Sequence, residues 1–139
     1  MTTAIKKATF KHVEAELFQY HETKREILKR REEILHAPRG RDENIGGGRS
    51  SEPGRPTERI ATRLLSDVRL RSLEEVVDAI ETSFEQLPEH YQEVIKLKYW
   101  SGKSYTWAQI ADKAYVHPNT ATKMRKEIVY LVAAKLGWG

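Results

Sequence analysis

Apolar residues recur at Phe10, Val13, Leu17, Tyr20, Ile27 and Ile34, steps of three, four and seven with no Gly or Pro between them. That is the stripe of a helix, and it predicts one from about Ala4 to His36. Lys24 and Arg31 occupy slots along the same stripe. Such a helix can dock on its own chain or form a coiled-coil seam, and cations at core positions weaken the seam.

The segment from Ala37 to Pro56 holds five of the eight glycines and three of the five prolines, the composition of a linker or long loop. Its Gly46-Gly47-Gly48 lacks the Lys-Ser/Thr that a phosphate-binding loop needs, so flexible loop is the reading. Arg39, Arg41, Arg49 and Arg55 could serve there as an arm on DNA phosphates. Ile60, Leu64, Val68, Leu73, Val76, Val77, Ile80 and Phe84 form the next stripe, predicting a long central helix over 57–86 that Thr57 can cap. A phase drift near Arg69-Leu70-Arg71 marks a candidate bend. Beyond it, three shorter helices are expected at Pro88–Trp100, Thr106–Ala114 and Pro118–Lys135, and no strand pattern appears. The chain thus reads as all-α, in four parts: an N-terminal packing or oligomerisation helix over 1–36, a linker over 37–56, the central helix over 57–86, and a DNA-binding unit over 87–139.

Composition narrows the function. There are no cysteines, which excludes disulfides and thiolate metal sites, and the five histidines lack the close pairing of a helical metal site. No cofactor is expected. The N-terminus lacks the apolar core of a signal peptide, and the longest strongly apolar stretch, Ile128 to Ala134, is far below the ~18 residues of a membrane span. A cytoplasmic protein with no membrane partner is expected. The net charge of +4 is unevenly placed: residues 1–86 hold 16 Lys+Arg against 16 Asp+Glu, and residues 87–139 hold 8 against 4. The excess therefore lies at the C-terminal end, which suits a polyanion partner there.

The last three predicted helices have the order of a helix-turn-helix: a supporting helix, a short helix, a turn at Ala114-Tyr115-Val116, and a helix opened by Pro118. Ile110, Ala111, Val116, Ala121 and Met124 supply the small aliphatic inner face that close packing of the two helices needs. The outer face offers His117, Asn119, Thr120, Thr122, Lys123 and Lys126. Asn pairs bidentately with adenine, Lys donates to guanine, and Thr meets a thymine methyl or a phosphate. Arg125 and Lys126, a turn or more further along, are expected on phosphates, as are Ser104 and Thr106 at the start of the short helix; Thr106 equally fits a plain helix cap. Trp100 and Trp107 are expected in the core. Tyr115 stands where many such turns place glycine, so either the turn is wider or Tyr115 is left-handed at some cost.

Leu87-Pro88-Glu89 through Lys126 resembles region four of bacterial sigma factors, in which a Leu-Pro motif opens a helix and an Ile-Ala pair and a Thr-centred recognition helix follow. The wider layout looks like the RinA/ArpU family of phage late transcriptional regulators. The likeness rests on the N-terminal helix, Asp42-Glu43-Asn44-Ile45-Gly46-Gly47, Pro56-Thr57-Glu58 and Met124-Arg125-Lys126-Glu127-Ile128. The resemblance implies a phage protein that binds a promoter or operator in duplex DNA and activates late genes for packaging and structural proteins. The sigma-like end adds host RNA polymerase as a partner to consider, and the N-terminal and central helices add a homodimer or higher oligomer. The role of Asn44–Gly48 is not legible.

A small terminase subunit, recognising phage DNA for packaging, is the alternative. Such proteins usually place the DNA-binding unit first, the reverse of the order here. An enzyme is not expected: Glu74, Glu75, Asp78, Glu81 and Glu85 cluster along one helix, but with Arg59, Arg63, Arg69 and Arg71 they read as a solvated ion-paired face.

Overall fold

The computed structural model describes residues 5–36 and 56–139, all helix and connecting turns, with no strand among them. Residues 37–55 of the Gly- and Pro-rich stretch, with its arginines and Asn44–Gly48, lie outside the described residues; Pro56, expected as the end of the linker, opens a helix. The helices are α1 (Lys7–Phe18), α2 (Tyr20–Leu35), α3 (Pro56–Ser66), α4 (Val68–Gln86), α5 (Glu89–Ile95), α6 (Trp107–Lys113) and α7 (Pro118–Leu136); a single π-helical turn, Lys96–Trp100, continues α5.

Both long predicted helices are interrupted once. The first yields at Gln19, where the backbone leaves helical angles (φ −92°, ψ 8°) while the amides of Gln19 and Thr23 still bond back to Ala15 and Gln19. The second yields at Asp67, not at the expected 69–71. The Asp67 carboxylate accepts from the Leu70 amide at 2.8 Å and so caps the start of α4.

The described chain divides into two compact units, one comprising Lys24–Glu74 and the other joining Met1–Thr23 to Glu75–Gly139. Within the first, Ile27, Ile34 and Leu70 are buried. Charged pairs tie α2 to the residues after Ser66: Arg30 to Asp67 at 2.6 Å, Arg69 to Glu26 at 3.1 Å, and Arg31 to Glu74. Arg31, one of the two cations within the predicted stripe, thus has a carboxylate of its own. Arg30 holds the Asp67 carboxyl below its ordinary pKa, with help from the Leu70 amide.

The second unit carries the larger core. Val13 and Leu17 of α1 are buried, as are Val94, Ile95 and Tyr99 of the α5 segment, Ile110 and Ala111 of α6, and Ala121, Met124, Ile128, Val129, Val132 and Ala133 of α7. The stripe residues Val13, Leu17, Tyr20, Ile27 and Ile34 are all buried within the single chain.

The π turn redirects the aromatics after Ile95. Tyr99 donates its hydroxyl to Glu14 at 2.6 Å, and the Trp100 indole N–H reaches the Leu17 carbonyl at 3.2 Å. Trp100 stacks on both Tyr20 and Phe84, with ring centroids 4.6 and 5.1 Å away. Trp107 meets the Tyr99 ring edge-on at 6.1 Å. Both tryptophans pack against other rings but are half-buried, at the margin of the core rather than inside it.

Candidate nucleic-acid interface

Two helices and the turn between them position the candidate side chains, apart from Ser104, which lies just before α6. α6 starts with a reciprocal cap: Thr106 Oγ1 accepts from the Gln109 amide at 3.2 Å, and Gln109 Oε1 accepts from the Thr106 amide at 2.8 Å. The Thr106 hydroxyl is thus a helix cap, one of the two roles its position allowed. α6 ends in a paired turn, with the Val116 amide bonded to the Ala111 carbonyl (2.9 Å) and the Tyr115 amide to that of Asp112 (3.2 Å).

α7 opens on Pro118, and the imidazole of His117 caps it: Nδ1 accepts from the Asn119 amide at 3.0 Å. A ring accepting at Nδ1 carries its proton at Nε2, which leaves that N–H as a donor.

From here the two sides of α7 diverge. Ala121, Met124 and Ile128 face inward and are buried, as Ile110 and Ala111 are opposite them; Val116 is half-buried. His117, Asn119, Thr120, Thr122, Lys123 and Lys126 are exposed. Asn119, Thr122, Lys123 and Lys126 follow at steps of three, one and three, which aligns them as one stripe about 10 Å long on a single face. The Asn119 amide group and the ammonium groups of Lys123 and Lys126 have no hydrogen bond or ion pair among the described residues. Thr122 donates its hydroxyl to the Pro118 carbonyl at 3.2 Å, which leaves its methyl and oxygen lone pairs outward. Ser104, exposed and left-handed (φ 54°), precedes the α6 cap.

Arg125 is not placed with this set. Its guanidinium grips Glu14 of α1 through two bonds, Nε–Oε2 at 2.8 Å and Nη2–Oε1 at 2.7 Å. It also lies over the rings of Phe10 (5.2 Å) and Trp107 (5.4 Å). The Nε–Nη2 edge of its donor fork is turned to a carboxylate of its own protein, so that edge is not open to a phosphate in this arrangement. Burial alone would raise the Glu14 pKa. The bonds from Arg125 and Tyr99, with the charges of Arg125 and Lys98, outweigh that and bring it below the ordinary value. Burial and the same carboxylate push the Tyr99 hydroxyl up.

Further along α7, Glu127 accepts from the Tyr91 hydroxyl, a bond that lifts the Tyr91 pKa to about 12. The adjacent cations therefore have opposite fates: Arg125 is bound inside the unit and Lys126 is free outside it. Sequence reading missed Glu14, Phe10 and Tyr99 as the support of α7. Glu14 sits in a charged helix face like any solvated carboxylate, and only paired variation with Arg125 would have marked it.

Among the described residues, no group of three His, Asp or Glu is placed to hold a metal ion, and no helix is long and apolar enough to cross a membrane. A family model described as "Protein of unknown function (DUF722)" matches residues 16–134. The chain belongs to the DUF722 family. The match takes in α6, α7 as far as residue 134 and all of the candidate residues, so the candidate interface lies inside the DUF722 region. No curated protein and no solved structure matches the chain.

Proposed function

We propose that α6 and α7 form a helix-turn-helix that binds duplex DNA by sequence, within a regulator of phage late transcription. The observation that carries this is the unpartnered stripe at the start of α7. Asn119 and Lys123 project from the end of a helix whose opposite face is fixed by a buried core. Groups held rigidly, exposed and free of internal partners suit base edges, where each bidentate contact discriminates by about 1–3 kcal/mol. Thr122 fits beside them against a thymine methyl or a phosphate, and His117 and Thr120 flank them at the helix start.

Lys126 and Ser104 are assigned to phosphates, while Thr106 orients α6 as its cap. The likeness to RinA/ArpU regulators supports late genes as the target and the bacterial cytoplasm as the place of action. The likeness to sigma region four supports contact with RNA polymerase. Two copies on one operator would require half-sites about 34 Å apart.

The test is selection of 30-base-pair duplexes from a random library, followed by binding of the recovered sequence. Asn119→Ala and Lys123→Ala are each expected to lose about 1–3 kcal/mol on that duplex and much less on a scrambled one. Equal losses on both would reduce them to phosphate contacts, and a library yielding no preferred sequence would overturn the reading. Footprinting on the phage genome then locates the site, expected upstream of the late operon.

A further inference from the structure

Among the described residues only two non-glycines have positive φ, Ser104 (54°) and Tyr115 (60°), and they bracket α6. α6 and α7 end in the same pair of bonds: Val116 to Ala111 and Tyr115 to Asp112 in the first, Trp138 to Ala133 and Gly137 to Ala134 in the second. In α7 the left-handed position is a glycine, Gly137 at φ 77°, which adopts it without steric conflict. In α6 the same position holds a tyrosine, whose Cβ crowds the backbone there.

Among the described residues no side-chain contact offsets that strain; only the two turn bonds do, and a glycine would make them equally. The side chain is 93% exposed, and neither its ring nor its hydroxyl has a partner among the described residues. It stands two residues before the His117 cap, next to the exposed set His117, Asn119 and Thr120. Backbone strain concentrated beside a binding surface is characteristic of groups held for a ligand.

We propose that the Tyr115 ring is a DNA-contacting group, packing on the apolar parts of the duplex, a deoxyribose or a thymine methyl, at the edge of the groove that α7 enters. This rests on the DNA-binding reading above and adds a contact to it. Tyr is suited to the position: the ring covers apolar surface at a small cost in rotamer freedom, and its hydroxyl keeps it compatible with water when no DNA is bound.

The experiment pairs Tyr115→Gly with Tyr115→Phe in the full chain, using the duplex recovered from the random library. Tyr115→Gly is expected to raise the melting temperature by about 2–6 °C, because glycine relieves the strain, while weakening binding to that duplex roughly tenfold. Tyr115→Phe, which restores the ring, should recover most of the lost affinity without the thermal gain. If Tyr115→Gly binds as tightly as the wild type, the inference fails and the ring is free for a protein partner instead. If Tyr115→Gly lowers the melting temperature, the premise of uncompensated strain fails. A wild-type protein that recovers no duplex overturns the DNA reading itself, a result distinct from either of these.

Discussion

Arg125 and Lys126 are neighbours in sequence with opposite surroundings. Arg125 is bonded twice to Glu14 and lies over two aromatic rings, with its side chain 35% exposed. Lys126 is exposed and unpaired. Both count equally toward the basic excess after residue 86, yet one positions α7 and the other is available to a polyanion. Charge totals therefore overstate a nucleic-acid surface until internal carboxylates are matched to their cations. The same contrast runs along α7, whose inner face is sealed by Ala121, Met124 and Ile128 while Asn119, Lys123 and Lys126 stay open.

The largest expected effect is on the sealed side. Ile128→Ala, at a fully buried position, should reduce stability by about 2–5 kcal/mol in urea denaturation. DNA affinity per folded molecule should be retained.

Next comes the ion pair. Arg125→Ala leaves Glu14, only 12% exposed, with the Tyr99 hydroxyl as its remaining bond. A loss of about 1–3 kcal/mol is expected, less than for a fully buried pair because Arg125 is partly in water. The pair also carries a pH signature. The folded-state pKa of Glu14 lies below its ordinary 4.5, so its stabilisation is complete above that value and is lost as pH falls through the folded one. Glu14→Gln should therefore flatten the acid limb of the stability profile. An unchanged limb would show that the pair contributes nothing.

Smaller effects refine the picture. Thr106→Ala should reduce stability by about 1 kcal/mol through loss of the α6 cap. Lys126→Ala should change stability by less than about 0.5 kcal/mol but lower the salt slope of DNA binding by about one phosphate contact. Arg125→Ala should leave that slope unchanged. If the two slopes shift alike, the division between them is wrong.

Local patterns carried most of what the sequence made legible. The helical periods, Pro118 at a helix start, and the buried Ile110, Ala111, Ala121 and Met124 all depend on spacing within a few residues. So did the left-handed Tyr115, one of the two possibilities its position allowed. What stayed hidden depends on distant pairing. Glu14 meets Arg125 across 111 positions, and nothing in its own neighbourhood distinguishes it from Glu16 or Glu22. The break at Asp67 was misplaced for a different reason: the phase drift showed only over 69–71, and the stripe was carried through Val68, which is exposed, where Leu70 is the buried residue. The capping carboxylate of Asp67 marks the true position.

The central claim concerns which face of α7 meets DNA, and a 15N-resolved NMR titration with the selected duplex tests it directly. The account predicts that amide shifts concentrate at Ser104–Thr106 and Tyr115–Lys126, with the Asn119 side-chain amide among the largest, while the Arg125 Nε–H signal stays in place. A duplex that moves Arg125 and leaves Asn119 and Lys123 unperturbed would contradict it.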